Sequence, residues 1–170
     1  SGGEATLQTA AFAELARELY DMGVDLALET SGYFDFESIK DTLELMETIF
    51  VDIKLWDEQR HIRYTGVSNK PILANIPKLA ELPCRLIVRI PVIETVNADS
   101  VTIAAIADFV RSNAPHAAME LLPYHNYGDI KYEALGESCP DRAFASPSKE
   151  QLHLFEQIIQ DKGIELVSYL

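Results

Sequence analysis

Residues 50–55 read FVDIKL, a short apolar run that carries one acid and one base. Because side chains alternate between the two faces of a strand, Asp52 and Lys54 are expected on one face and the odd-numbered apolar side chains on the other. Charges on an inner face are costly unless something pairs with them. Two interpretations follow: an Asp–Lys pair that satisfies only itself, or the charged floor of a site for a zwitterionic ligand. The rest of the chain favours the second.

Composition sets the class of protein. The chain has 170 residues, of which 48% are hydrophobic and 24% charged, which predicts one domain over residues 1–170 with a real core. The net charge of −13 argues against nucleic acid or an anionic membrane as the main partner. With no apolar run of membrane-spanning length and no secretory signal, a cytoplasmic chain is expected. Cys84 and Cys139 lie far apart and match no metal-binding spacing, so reduced thiols are expected.

Apolar segments of strand type alternate with segments of helical periodicity. This order predicts an α/β fold of parallel βα units. A helix is expected over residues 57–65, Asn69 is expected to cap the next helix, and Ser148 with Gln151 forms a capping box for the last one. The predicted strands are residues 24–29, 50–55, 85–93, 117–122 and 165–169.

Polar side chains collect where the predicted strands end. In parallel βα folds, ligands bind at the carboxyl ends of the strands, so these side chains are candidates for one common site. Arg89 alone could be a structural partner of Asp52 or Glu29, and His125 alone could be a loop residue. His61, His116 and His153 are expected to be surface or helix residues. The candidate site residues are Glu29, Thr30, Ser31, Asp52, Lys54, Arg89 and His125.

Six short motifs along the chain together resemble a glycyl-radical-enzyme activating enzyme of the pyruvate formate-lyase activating type, within the radical S-adenosylmethionine (SAM) superfamily. The resemblance implies a partial (β/α) TIM-like barrel, truncated at its N-terminal strands, that works with SAM and a [4Fe–4S] cluster. The motifs are SGGE at 1–4, ETSGY at 29–33, DIK at 52–54, TGVSN at 65–69, RIPV at 89–92 and LLPYH at 121–125.

The family's chemistry implies an activity for the parent protein. A reduced cluster, supplied with electrons by flavodoxin or ferredoxin, cleaves SAM, and the resulting radical removes a hydrogen from a glycine of a partner such as pyruvate formate-lyase. Two alternatives stay open. The chain could be a non-catalytic binding module derived from the barrel, or part of a radical SAM enzyme that acts on a small molecule.

The resemblance also implies roles for individual positions. Gly2, Gly3 and Glu4 match the stretch that holds the methionine amino group. Thr30 and Ser31 match a second contact at a strand end. Lys54 and Arg89 match positions near the methionine carboxylate, and His125 one near the nucleoside. Glu29 and Asp52 match the acids that help to bind a monovalent cation.

The family's three-cysteine cluster motif is absent from these 170 residues. The motif would precede Ser1, so the chain looks like the C-terminal part of an activating enzyme and is predicted to be inactive alone. Such a cut would leave the strand at residues 24–29 as an unpaired edge, and self-association through that edge or the open inner face is expected.

Overall fold

The structure, a computed structural model, describes residues 3–125, 135–137 and 144–169. Gly2 and Cys139 lie outside the described residues. The described chain forms a four-stranded parallel sheet in the order β1-β2-β3-β4. Its strands are β1 (Ala27–Thr30), β2 (Thr48–Asp52), β3 (Arg85–Val92) and β4 (Ala118–Pro123).

Helices connect consecutive strands, as the alternating pattern predicts. Several begin at capping side chains: Asp57 and Asp99 accept hydrogen bonds from the first turns of their helices, and Ser148 and Gln151 form the predicted capping box. None of the described helices is long and apolar enough to cross a membrane. The helices are α1 (Thr9–Asp21), α2 (Phe36–Leu43), α3 (Glu58–Thr65), α4 (Lys70–Leu79), α5 (Ser100–Asn113) and α6 (Lys149–Asp161), with a short 3₁₀ turn at Ala5–Leu7.

The core lies between the helices and one face of the sheet. Val51 and Ile53 are buried on this face together with Val88 and Ile90 of the next strand. The opposite face carries the charged residues that the alternation in FVDIKL predicts. Among the described residues the sheet is open rather than closed, so this second face is the interior of a partial barrel.

The predicted strand at residues 165–169 is wrong. Only Leu166 forms a bridge, to Met119 of β4. The chain then leaves the ladder, because the Tyr169 N–H donates to the side-chain Oε1 of Glu120 at 2.6 Å rather than to a backbone carbonyl. The segment therefore lies against β4 without extending the sheet.

His61 lies on helix α3, one of the two locations expected for it, and is buried there. Two further expectations need correction. Asn69 stands at the N-cap of α4, yet its side chain makes no cap bond; its amide donates instead to the carbonyls of Leu55 and Trp56 at 3.1 and 2.7 Å. Leu15 belongs to the apolar stripe that helical periodicity predicts for α1, with Phe12, Ala16, Leu19 and Met22. It is nevertheless 57% exposed, because α1 lies beside the edge strand β1 and a cavity of about 560 Å³.

Gly32 is required by the turn that leaves β1. Its φ is +75°, and a Cβ added there would lie 2.7 Å from Cγ2 of Val51 and 3.1 Å from Cγ2 of Ile72, both buried. Gly66 has a similar φ of +82°, but a Cβ there would meet nothing within 4 Å. Comparison of alanine variants at Gly32 and Gly66 therefore separates the cost of backbone strain from the cost of overpacking.

Gly32→Ala is expected to lower the free energy of unfolding by about 2–4 kcal/mol, from the left-handed backbone and the clash together. Gly66→Ala carries only the backbone part, about 1–2 kcal/mol. Urea denaturation measures both variants. Equal losses would show that Val51 and Ile72 do not crowd this turn.

Candidate functional site

The carboxylate of Glu4 organises the end of strand β1. Its Oε1 accepts hydrogen bonds from the hydroxyls of Thr6 and Thr30 at 2.9 and 2.8 Å. Its Oε2 accepts from the backbone N–H and the hydroxyl of Ser31 at 2.8 and 2.7 Å. The start of the described chain is thereby fixed to the polar turn after β1. The sequence predicted Thr30 and Ser31 as site residues and the resemblance implied Glu4, but neither predicted that the three bond directly to one another or that Thr6 joins them.

The protonation of Glu4 follows from these contacts. Partial burial works to raise the pKa of this carboxyl, but the hydrogen bonds from Ser31, Thr30 and Thr6 outweigh it and hold the pKa below its ordinary value. Glu4 is therefore an anion at neutral pH, held in place by its four donors.

A second cluster of charges lies on strands β1 to β3 and on the loop that follows β2. Asp52 and Arg89 are register partners on adjacent strands, and Arg89 Nε donates to Asp52 Oδ1 at 3.2 Å. Lys54 Nζ donates to the other oxygen, Asp52 Oδ2, at 2.8 Å. Arg89 also reaches Glu29 on the edge strand, with Nη1 3.1 Å from Oε1. The guanidinium lies 5.1 Å from the ring centroid of Phe50.

Glu29 and Asp52 stabilise the charged form of Arg89. Burial works to lower the pKa of the guanidinium, but Glu29 and Asp52 outweigh burial and raise it above the ordinary value. Arg89 is mostly buried, with 13% of its side chain exposed, whereas 40% of the Lys54 side chain and 69% of the Glu29 side chain are exposed. The structural interpretation of Arg89, as a partner of Asp52 and Glu29, therefore holds in this structure.

The two clusters face one pocket of about 270 Å³ at the carboxyl ends of the strands. His125 follows β4, is exposed and is not among the lining residues, and Gly2 lies outside the described residues. The lining residues are Gly3, Glu4, Glu29, Thr30, Ser31, Asp52, Lys54 and Arg89.

The pocket has more acids than bases. Its lining includes three carboxylates, those of Glu4, Glu29 and Asp52, and two cations, Lys54 and Arg89. Both cations are paired with Asp52 or Glu29, whereas the groups that donate hydrogen bonds to Glu4 are neutral hydroxyls and a backbone N–H. The arrangement favours a ligand that brings one net positive charge and an anionic group for the two bases.

The described residues do not provide a metal centre. None of their His, Cys, Asp and Glu side chains form a group of three that could hold a metal ion. Cys84 is a half-buried free thiol whose pKa is raised by burial, which is unlike the thiolate that a cluster requires. The whole sequence has two cysteines, so this chain by itself cannot supply a three-cysteine ligand set.

Sequence reasoning missed the buried asparagines behind the pocket. Asn75 of α4 donates to the carbonyls of Gly32 and Phe34 in the turn after β1, at 3.0 and 2.9 Å. Asn97 bonds to the loops after β2 and β3. Asparagine in a helix or a loop carries no periodic signal, so only the proximity of these loops in space identifies the role.

The chain is similar in sequence to several activating enzymes. The trans-4-hydroxy-L-proline dehydratase activating enzyme of Clostridioides difficile is 32% identical over 163 residues, which are 94% of this chain and 54% of that protein. Further curated relatives are activating enzymes as well. The chain spans about half the length of the curated relatives it matches. No protein-family model matches it.

Solved structures agree with the sequence relatives. A domain of a pyruvate-formate lyase-activating enzyme from Bacteroides vulgatus ATCC 8482 superposes with a TM-score of 0.82 and 27% identity, covering 98% of this chain and 94% of that one. Streptococcus suis SuiB bound to S-adenosylmethionine superposes with a TM-score of 0.73 over 98% of this chain and 37% of its own length, at 12% identity. The second likeness concerns the fold alone.

An open parallel α/β sheet with a charged pocket at its carboxyl end defines a partial barrel of the radical SAM type. The sequence relatives make the assignment more specific. Over most of its length the chain is similar to activating enzymes such as that of trans-4-hydroxy-L-proline dehydratase, and in fold it matches a domain of a pyruvate-formate lyase-activating enzyme.

Glu4→Gln is expected to destabilise the chain by about 1–3 kcal/mol at neutral pH, because an amide nitrogen cannot accept the bonds that Ser31 donates. The folded pKa of Glu4 lies below the ordinary value of 4.5. The stabilisation by the carboxylate is therefore complete above pH 4.5 and is lost as the pH falls through the folded pKa.

Urea denaturation over a series of pH values measures this effect, with Glu14→Gln, an exposed residue of α1, as the matched control. The gap between wild type and Glu4→Gln is expected to close under acid conditions. A gap that is constant with pH would contradict the role given to the Glu4 charge.

Proposed function

We propose that this chain is the part of a radical SAM activating enzyme that holds the methionine end of SAM, and that the whole protein generates a glycyl radical on a partner enzyme. The observation that carries the proposal is the pocket in which Glu4, Lys54 and Arg89 meet at the carboxyl ends of adjacent strands. The activating-enzyme relatives support the same assignment.

The charges of the pocket complement SAM. The ligand has an ammonium, a carboxylate and a sulfonium, and therefore a net charge of +1, against three acids and two bases in the lining. Lys54 and Arg89 would donate to the carboxylate. The hydroxyl protons of Thr30 and Ser31 already point to Glu4, so these oxygens offer lone pairs, not protons, to an ammonium.

When bound beside a reduced [4Fe–4S] cluster, SAM supplies the radical that removes hydrogen from the partner's glycine. The residues of this chain bind and orient its amino-acid end. With two cysteines in these 170 residues, a three-cysteine ligand set would come from elsewhere in the protein. His125, at the end of β4, is proposed to contact the nucleoside, and Gly2 and Gly3 the ammonium.

In this proposal the monovalent cation binds when SAM is bound. Arg89 now bonds to both Glu29 and Asp52. If Arg89 turns to the methionine carboxylate, oxygens of these two acids become available to a small cation. SAM binding would then depend on the monovalent cation present in the buffer.

The partner would be a glycyl radical enzyme such as pyruvate formate-lyase or a relative, with flavodoxin or ferredoxin as the electron donor and the cytoplasm as the compartment. The edge of β1 and the exposed apolar face of α1 support the further proposal that the isolated chain self-associates. Small-angle scattering at rising concentration tests this, and a monomer throughout would contradict it.

Lys54→Met is expected to weaken SAM binding by about 10- to 100-fold, the loss of one charge-assisted hydrogen bond. Isothermal titration calorimetry measures the dissociation constant. Lys40→Met is the matched control, because Lys40 lies on the exposed face of α2 and pairs with Glu44 at 3.9 Å. Unchanged binding by Lys54→Met would remove Lys54 from the site.

Electron paramagnetic resonance tests the function of the complete protein. Incubated with SAM, a reductant and a glycyl radical enzyme, it is expected to produce a glycyl radical signal that falls in Lys54→Met and persists in Lys40→Met. SAM cleavage without a protein radical would instead indicate an enzyme that acts on a small molecule. Absence of SAM cleavage would indicate a binding module.

A further inference from the structure

We propose that Asn97 is a positioning residue for Lys54. Its buried amide holds the main chain of Lys54, and therefore the ammonium, in place against the pocket. The inference rests on the proposed function, in which Lys54 binds the methionine carboxylate. It adds a residue that touches neither the pocket nor the ligand.

Lys54 needs such support because it lies beyond the sheet. Strand β2 ends at Asp52. The Ile53 N–H still donates to the carbonyl of Arg89 at 2.9 Å, as a ladder bond would. The carbonyl of Lys54 is bonded instead by a side chain, since Asn97 Nδ2 donates to it at 2.7 Å. Asn97 thus supplies the hydrogen bond that holds the main chain of Lys54 after the ladder ends.

Both the nitrogen and the oxygen of the Asn97 side-chain amide form hydrogen bonds. Its Nδ2 also donates to the carbonyl of Pro91 at 2.6 Å, and its Oδ1 accepts from the Ile93 N–H at 2.7 Å. Only 1% of Asn97 is exposed. One side chain therefore satisfies three backbone groups, one in the loop after β2, one near the end of β3 and one in the loop after β3, and its removal would leave all three without this partner.

Asn97 is itself rigidly placed. The carbonyl of Ile93 accepts hydrogen bonds from the backbone N–H groups of Val96, Asn97 and Ala98 at 2.9, 3.0 and 3.2 Å. This compact turn directly follows β3. The position of the amide is therefore set by the same strand that carries Arg89.

Asn97 thereby fixes the distance between the two cations, Lys54 and Arg89. Arg89 is placed by β3, and Asn97 ties the loop that carries Lys54 to the end of that strand. Two donors that must reach one carboxylate gain affinity when their spacing is set before the ligand binds. A Lys54 released from Asn97 keeps its charge but loses this preorganisation.

The test uses two ligands, of which only one carries the end that Lys54 would bind; the other also lacks the sulfonium charge. SAM carries the amino-acid end, and 5′-methylthioadenosine lacks it. Asn97→Ala is expected to raise the dissociation constant for SAM about tenfold and to leave that for methylthioadenosine within about twofold. Asn97→Ser is a milder second variant. Ile159→Ala, a fully buried site on α6, is the control for lost stability alone.

A double variant separates positioning from a direct role. If Asn97 acts through Lys54, Asn97→Ala combined with Lys54→Met binds SAM no more weakly than Lys54→Met alone. Additive losses, equal losses for the two ligands, or unchanged SAM binding by Asn97→Ala would each overturn the inference.

A ligand-free readout keeps the inference distinct from the proposed function. The NMR signal of the Lys54 ammonium reports its contact with Asp52. Asn97→Ala is expected to shift or broaden this signal, and Ile159→Ala to leave it unchanged; the same signal in both variants would overturn the positioning role. If wild type fails to bind SAM, or Lys54→Met binds it as wild type does, the proposed function fails while this signal still decides the role of Asn97.

Discussion

The structure around the pocket depends on the bonds of the Asp52 carboxylate to Lys54 and Arg89, at 2.8 and 3.2 Å. Charges on the inner face of a sheet are tolerated only when they are paired, and here one carboxylate pairs two bases at once. The pairing keeps both cations at the mouth of the barrel rather than in bulk water. A ligand carboxylate can then compete with Asp52 for donors that are already assembled.

The backbone behind the pocket is held by side chains more than by the sheet. Loops after parallel strands leave backbone groups without ladder partners, and the buried amides of Asn69, Asn75 and Asn97 satisfy several of them. Glu4 does the same for the turn at Ser31. The pocket is therefore built from polar hydrogen bonds between loops that lie on an apolar sheet. The loops carry the candidate binding residues, and the apolar core stabilises the fold.

Alternation and helical periodicity predicted much of the fold, because both depend on local spacing alone. The face shared by Asp52 and Lys54 follows directly from the period of a strand. The failures have a common cause in contacts distant along the chain. The segment at residues 165–169 forms only a bridge because Tyr169 bonds to Glu120, and the Asn69 side chain bonds to the carbonyls of Leu55 and Trp56 instead of capping its helix. The bond from Thr30 to Glu4 spans 26 positions and has no local signature.

The central claim is that acids and bases from separate strand ends surround one zwitterion. A crystal structure of the chain with SAM tests it most directly. The account predicts the methionine carboxylate within hydrogen-bond distance of Lys54 Nζ and the Arg89 guanidinium, with the ammonium on the Glu4 side of the pocket. SAM bound elsewhere, or bound with its carboxylate turned away from both cations, would contradict the account.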